Sequence, residues 1–321
     1  MADDIEKQTG ISAEPAVPAS NPDASADKLI DLPPGTDLTP DLGVAVTAAA
    51  LTRLVLIAGE AESGKTTLLA TIYEKFNGGP FAKLLFAGSQ TLISWEERCH
   101  LARVASGGER PDTERTLGLQ QRLLHLRVRD VAQDQPIQDL LFTDLSGEVF
   151  KLVRDSTAEC QQLGMLKRAD HIVLLLDGEK LANAASRHEA LNNGLALLRS
   201  CVDARMIGSH SFVDVVFSKY DLLTAGAGAI EFLQFAEERI SSRFGSRVGR
   251  LRFHNIAARP GQASGVEFGF GISDLLRSWV DDSPYFMPNL AYALGFPPNI
   301  TEFDNYLRVR YPALSEIRAW K

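Results

Sequence analysis

From Leu51 onward, short apolar runs alternate with longer stretches whose apolar positions recur every three or four residues. Runs of the first kind are buried strands and the 3.6-residue period belongs to amphipathic helices, so the alternation reads as a parallel sheet with crossover helices. Six runs read as strands: 51–58 (LTRLVLIA), 123–129 (LLHLRVR), 139–143 (DLLFT), 171–176 (HIVLLL), 212–218 (FVDVVFS) and 250–255 (RLRFHN). Helical patterns cover about 65–76, 94–106, 149–163, 179–204, 228–244 and 273–281. In the first, Leu68, Leu69, Ile72 and Phe76 share a face, and Asn77-Gly78-Gly79-Pro80 stops it. The second opens on Ser94 with Glu97 three residues later, a capping box. Between 129 and 139 the link is polar and too short for a crossover helix, so those two strands pair antiparallel while the others run parallel. The expected fold is a three-layer α/β domain: a mostly parallel six-stranded sheet with one antiparallel strand, flanked by helices.

The two ends have a different texture. Residues 1–48 hold six prolines and no sustained apolar period, and such a segment cannot bury enough surface to offset its ordering entropy; it reads as a disordered acidic tail. Residues 49–281 form the expected domain. Residues 282–321 carry eight of the chain's 25 aromatic residues and read as an aromatic-rich extension, packed back on the domain or offered to a partner.

Charge excludes one class of partner. Of the formal net charge of −8, residues 1–50 hold nine acidic groups against two basic ones, and the remainder is near neutral. Neutralising a phosphate backbone needs a basic excess that neither part has, so no nucleic acid partner is expected. The three cysteines lack CxxC spacing and come in an odd number, and the six histidines show no ligand spacing. No signal segment or membrane span is visible, and a cytoplasmic protein is expected.

The strongest chemical signal is Gly59 to Thr67, GEAESGKTT, which fits GxxxxGK[ST] between a strand and a periodic helix. Backbone N–H groups of Gly59, Glu60, Ala61, Glu62, Ser63 and Gly64 would cradle phosphate oxygens, reinforced by the helix N-terminus; Thr67 completes the loop. Lys65 would reach the β- and γ-phosphates and the Thr66 hydroxyl would bind Mg²⁺. Farther along, Asp144 to Gly147 (DLSG) ends a buried strand. There Asp144 would hold the Mg²⁺ shell and the Gly147 amide would sense a γ-phosphate. Asp177, at the end of HIVLLLD, is an alternative acid, with Asp144 preferred.

The base is addressed by two further stretches. Ser218-Lys219-Tyr220-Asp221 stands where a [NT]KxD motif would. Asp221 could accept both guanine N1–H and N2–H₂, the Lys219 stem could lie over the purine, and the Ser218 hydroxyl could do part of the tethering that Asn does. Ala257-Ala258-Arg259 follows the last strand and would offer a backbone amide to guanine O6.

In this order, GEAESGKTT, DLSG, SKYD and AAR resemble the translation-factor-related and Ras-like class of GTPases over about residues 50–281. FAGSQTL (86–92), LLHLRVRD (123–130) and TDLSGEVF (143–150) are similar to the double-GTPase family, whose members occur in bacterial conflict or defence gene clusters; one GTPase core is visible. The resemblance implies GTP and GDP as ligands with Mg²⁺, a molecular switch, and a protein effector or activator encoded elsewhere. Glu148 stands where a water-orienting Gln is common, which implies slow turnover. The switch I threonine is assigned to Thr116, ahead of Thr113 and Thr91, with Arg115 and Arg122 nearby. The alternatives are a P-loop ATPase or kinase, and a nucleotide-stabilised adaptor without useful hydrolysis.

Overall fold

The computed structural model describes residues 34–104, 122–131, 137–144, 146–209 and 211–281, the side chains of 101, 103, 104 and 144 excepted.

Among the described residues, seven strands form one sheet: β1 (Thr52–Gly59), β2 (Leu84–Gly88), β3 (Leu123–Asp130), β4 (Gln138–Asp144), β5 (His171–Asp177), β6 (Phe212–Ser218) and β7 (Arg250–Asn255). Their spatial order is β2-β3-β4-β1-β5-β6-β7. The β4, β1, β5, β6 and β7 neighbours pair parallel, and β3 runs antiparallel to both β2 and β4. The mostly parallel sheet with one antiparallel strand is as expected, but the count of six is corrected to seven. The added strand, β2, sits at an edge, and most of its five residues are exposed or half-buried, so it lacks the long apolar run that marks a central strand.

Along β1 the side chains alternate between two buried faces. Leu56 and Ala58 join one core with β5, β6 and the helices α4 (Gly147–Asp155), α5 (Thr157–Gln162), α6 (Gly164–Arg168), α7 (Gly178–Ala182), α8 (Arg187–Asp203), α9 (Tyr220–Thr224) and α10 (Ala229–Phe244). Val55 and Ile57 join the other, with α2 (Lys65–Asn77), α3 (Leu92–Val104) and α11 (Ile272–Asp281). Covered faces on both sides explain why the central strands read as continuous apolar runs. The expected long helix at 149–163 is broken, because Ser156 leaves the helical region (φ −145°) and its hydroxyl accepts from Glu159 N–H to start α5.

A helix also stands inside the segment expected to be disordered. In α1 (Pro40–Ala49) the Thr39 hydroxyl accepts from Leu42 N–H and Pro40 occupies the first turn, where its missing N–H costs nothing. Val46 packs with Leu38, Leu54, Leu123 and Leu141 in a small third core, and Leu38 exchanges both backbone hydrogen bonds with Leu123 at 2.9 Å. A proline that looks like a sign of disorder is thus a helix start.

Candidate functional site

The motif residues converge because parallel strands end on one side of the sheet. Gly59, Asp144, Asp177, Ser218 and Asn255 are the last residues of β1, β4, β5, β6 and β7. In open α/β sheets that carboxyl edge is where ligands bind.

The phosphate loop turns on two residues in the left-handed region, Glu62 (φ 66°) and Gly64 (φ 93°), the latter capping α2. Glycine takes that conformation without a Cβ penalty. Leu68, Leu69 and Ile72 are fully buried and anchor α2, so its N-terminus is held firmly under the loop. The Lys65 ammonium donates to the Gly59 and Glu60 carbonyls at 2.9 and 2.8 Å. Thr66 and Thr67 are half-buried in the first turn of α2, and Ala61 is exposed at the loop's crown. The Ser63 hydroxyl is buried beside Gly59.

Glu60 does something the motif does not foretell. Its carboxylate accepts from the Lys180 ammonium at 2.7 Å and from the Asn193 amide at 2.6 Å. Burial pushes this carboxyl up, but Lys180 and Asn193, with the Arg154 charge nearby, more than reverse that and hold its pKa below the ordinary value. Both oxygens of the Glu60 carboxylate are thereby engaged within the protein. A small, partly open pocket lies beside it, with Phe150, Arg154, Asn193 and Leu197 among its lining residues.

The DLSG segment closes on the phosphate loop. A methyl group on Gly147 would stand 2.3 Å from the Ala61 nitrogen, so only glycine permits this approach. Ser146 caps α4, its hydroxyl accepting from Val149 N–H, and Glu148 is exposed in the first turn. Asp144 pairs in register with Ile57, two residues before the loop begins.

At the base end, the Ser218 hydroxyl donates to the Ser63 carbonyl at 2.8 Å and contacts the Leu176 carbonyl at 3.2 Å. Lys219 holds a left-handed backbone (φ 48°), unusual for a residue with a side chain, and its ammonium lies 3.0 Å from both Asp177 and Glu179. Asp221 lies within α9 and its Oδ2 accepts from Gly261 N–H at 2.9 Å, so it ties the base loop to the loop after β7. There the Ala257 amide donates to Phe270, which leaves the expected O6 contact to Ala258, and Arg259 pairs with Glu74.

In the sequence Asp177 stands second to Asp144, and Glu179, Lys180, Asn193 and Gly261 belong to no motif. The position of Asp177 at a strand end is a usable signal; the other contacts exist only once the fold brings distant segments together. Thr116, Thr113 and Arg115 lie outside the described residues. Thr91 is fully buried and its hydroxyl accepts from His125 N–H, so it is a structural residue. Arg122 is an exposed side chain 3.9 Å from Asp37. Among the described residues no group of three or more His, Cys, Asp or Glu is placed to hold a metal, and no helix is long and apolar enough to cross a membrane.

No curated protein matches the chain in sequence. Solved structures with a similar course include the Saccharomyces cerevisiae Ski7 GTPase-like domain bound to GDP and inorganic phosphate (TM-score 0.44, 14% identity, 75% of this chain and 51% of that one). A second is the signal recognition particle receptor SRb-GTP/SRX complex from Chaetomium thermophilum (0.39, 15%, 71% and 96%). A third is translation elongation factor SelB from Methanococcus maripaludis with the GTP analogue GPPNHP (0.36, 13%, 73% and 35%). The chain thus spans about half of the Ski7 chain and about a third of the SelB chain, and likenesses this distant decide nothing about chemistry. The Double-GTPase 2 family model, by contrast, matches residues 53–280, from the second residue of β1 to the last but one of α11, and the chain belongs to the Double-GTPase 2 family.

Proposed function

We propose that this GTPase-type domain binds guanine nucleotide across the carboxyl edge of the sheet and acts as a slow GTP-hydrolysing switch. The observation that carries the reading is the bond from Ser218 Oγ to the Ser63 carbonyl, which joins the base loop to the phosphate loop as a nucleotide spanning both requires. The amides of Gly59 to Gly64 receive the phosphates, and Lys65 exchanges its two loop carbonyls for β- and γ-phosphate oxygens. Asp221 accepts from the guanine N1–H and N2–H₂, Lys219 lies over the ring, and the Ala258 amide serves O6.

Magnesium suits the donors. A hard cation that retains most of its water needs only one or two protein oxygens besides phosphate. Thr66 stands in the first turn of α2 and Asp144 ends β4, the strand paired with β1, so these are the two residues that would hold the ion. The ion would neutralise charge building on the phosphates. Thr116 is proposed as the second threonine ligand.

Glu148 takes the place beside the attacking water. As a carboxylate it accepts a proton but also repels the γ-phosphate, which supports slow turnover without an activator. A protein effector that reads the γ-phosphate through Thr116 and Gly147, a cytoplasmic location and a setting in bacterial defence belong to the same proposal.

The test titrates fluorescent GTP, GDP and ATP with and without Mg²⁺ and then follows phosphate release in a single turnover. Guanine preference with slow release is expected. ATP bound as tightly as GTP would favour the ATPase or kinase reading, and guanine binding without release would favour the adaptor.

A further inference from the structure

The turn after β5, Asp177 to Lys180, touches both loops of the proposed nucleotide site. Toward the base loop, Asp177 Oδ2 and Glu179 Oε2 each accept from the Lys219 ammonium at 3.0 Å. Toward the phosphate loop, the Lys180 ammonium donates to Glu60 Oε2 at 2.7 Å. Between them the backbones touch, since a methyl group on Gly178 would stand 2.0 Å from the Ser218 carbonyl oxygen. We propose that Asp177, Glu179 and Lys180 are positioning residues, a bracket that sets the spacing between the base loop and the phosphate loop.

Helix capping accounts for only part of this arrangement. Asp177 Oδ1 accepts from Glu179 N–H and starts α7, but Oδ2 is turned to Lys219. Lysine stems are long and rotamer-rich, so a stem that must lie flat over a purine gains from having its far end fixed beforehand. Two carboxylates on one ammonium provide that fixing, and the strained backbone of Lys219 (φ 48°) aims the stem from the other end. On the phosphate side, Lys180 and Asn193 occupy both oxygens of Glu60, which keeps a P-loop carboxylate directed at protein rather than at an incoming phosphate. An isolated exposed ion pair would do little, but these pairs are shared, partly shielded and linked through one four-residue turn.

The inference rests on the guanine-nucleotide reading, and the experiment separates the two. Affinities for GDP and GTP and the melting temperature without nucleotide are measured for the wild type, the Asp177→Asn/Glu179→Gln double variant and Lys180→Met. The amide introduced at position 177 keeps an oxygen for the α7 cap but opposes its NH₂ group to the Lys219 ammonium. The double variant should therefore lose about tenfold in affinity for GDP and GTP alike, at an unchanged melting temperature. Lys180→Met releases Glu60 toward the phosphates and should weaken GTP more than GDP. The bracket is overturned if the wild type prefers guanine nucleotides and both variants bind as it does, or if their losses merely follow a lowered melting temperature. A wild type with no guanine preference overturns the underlying reading, and the bracket with it.

Discussion

Ser218 and Ser63 stand 155 positions apart in the chain, yet the hydroxyl of one donates to the carbonyl of the other at 2.8 Å. The end of β6 and the phosphate loop are thereby one piece. Ser218→Ala strands the buried Ser63 carbonyl without this donor, so the variant should be destabilised by about 1–2 kcal/mol and bind GTP about tenfold more weakly. Denaturant melts and a nucleotide titration read the two effects separately.

Lys65→Ala should abolish measurable triphosphate binding while leaving the sheet folded. It removes the ammonium that would reach phosphate, while the face of α2 that packs in the core through Leu68, Leu69 and Ile72 is untouched. Retention of micromolar GTP binding, by calorimetry, would contradict the phosphate-loop assignment.

Asp221→Asn should exchange base preference. With Gly261 N–H engaging one side-chain oxygen, the introduced amide presents a donor to the guanine donors, and GTP affinity should fall at least about tenfold. Xanthosine triphosphate carries a carbonyl where guanine has its amino group and should bind the variant better than GTP does. Competition between the two nucleotides is the measurement.

Gly147→Ala cannot keep the approach to Ala61, where the added carbon would come within 2.3 Å of a backbone nitrogen. The DLSG turn must move outward, away from any γ-phosphate. GTP hydrolysis should drop by about tenfold or more while GDP affinity stays within about threefold of the wild type, because an interaction made with the γ-phosphate alone is lost. Parallel GDP titrations and single-turnover assays check this.

Far from the site, Asp214 predicts acid behaviour. It is fully buried, bonded to Arg252 at 2.9 Å and to Trp279 Nε1 at 3.2 Å, with His171 and His254 beside it. Burial pushes its carboxyl up, but the two histidines and Arg252 outweigh burial and hold it well below the usual carboxylate range. A depressed folded pKa gives stability that is fully present above the unfolded value, about 4, and is lost as pH falls through the folded one. Melts should show this contribution constant from pH 7 to about 5 and falling steeply below about 4. Asp214→Asn should cost about 3 kcal/mol at neutral pH by removing the negative charge that faces Arg252.

The central strands and the tight turn from β1 into α2 are legible in the sequence because burial on both faces writes uninterrupted apolar runs, and because a left-handed position at a helix start calls for glycine. What escapes notice depends on partners distant in sequence. β2 is too short and too exposed to announce itself, and α1 is stabilised by Leu123 and Leu141 rather than by its own period. Glu60 meets Asn193 only after the intervening strands and helices have turned the chain back on itself. Local pattern carries no record of such meetings.

Leu123 is gripped from several directions by the segment before the family match. Its backbone pairs with Leu38, Gly43 lies so close that a methyl group there would be 2.4 Å from its Cδ1, and beside it the Asp37 carboxylate is held by Arg98 at 3.1 Å. A fragment cut at the match, 53–280, would therefore open the third core. Leu54, Leu123 and Leu141 would face water, each at about 1.5–3 kcal/mol, and would create a sticky apolar surface beside the start of β3. Recombinant fragments beginning at Pro34 should stay monodisperse where those beginning at Arg53 precipitate.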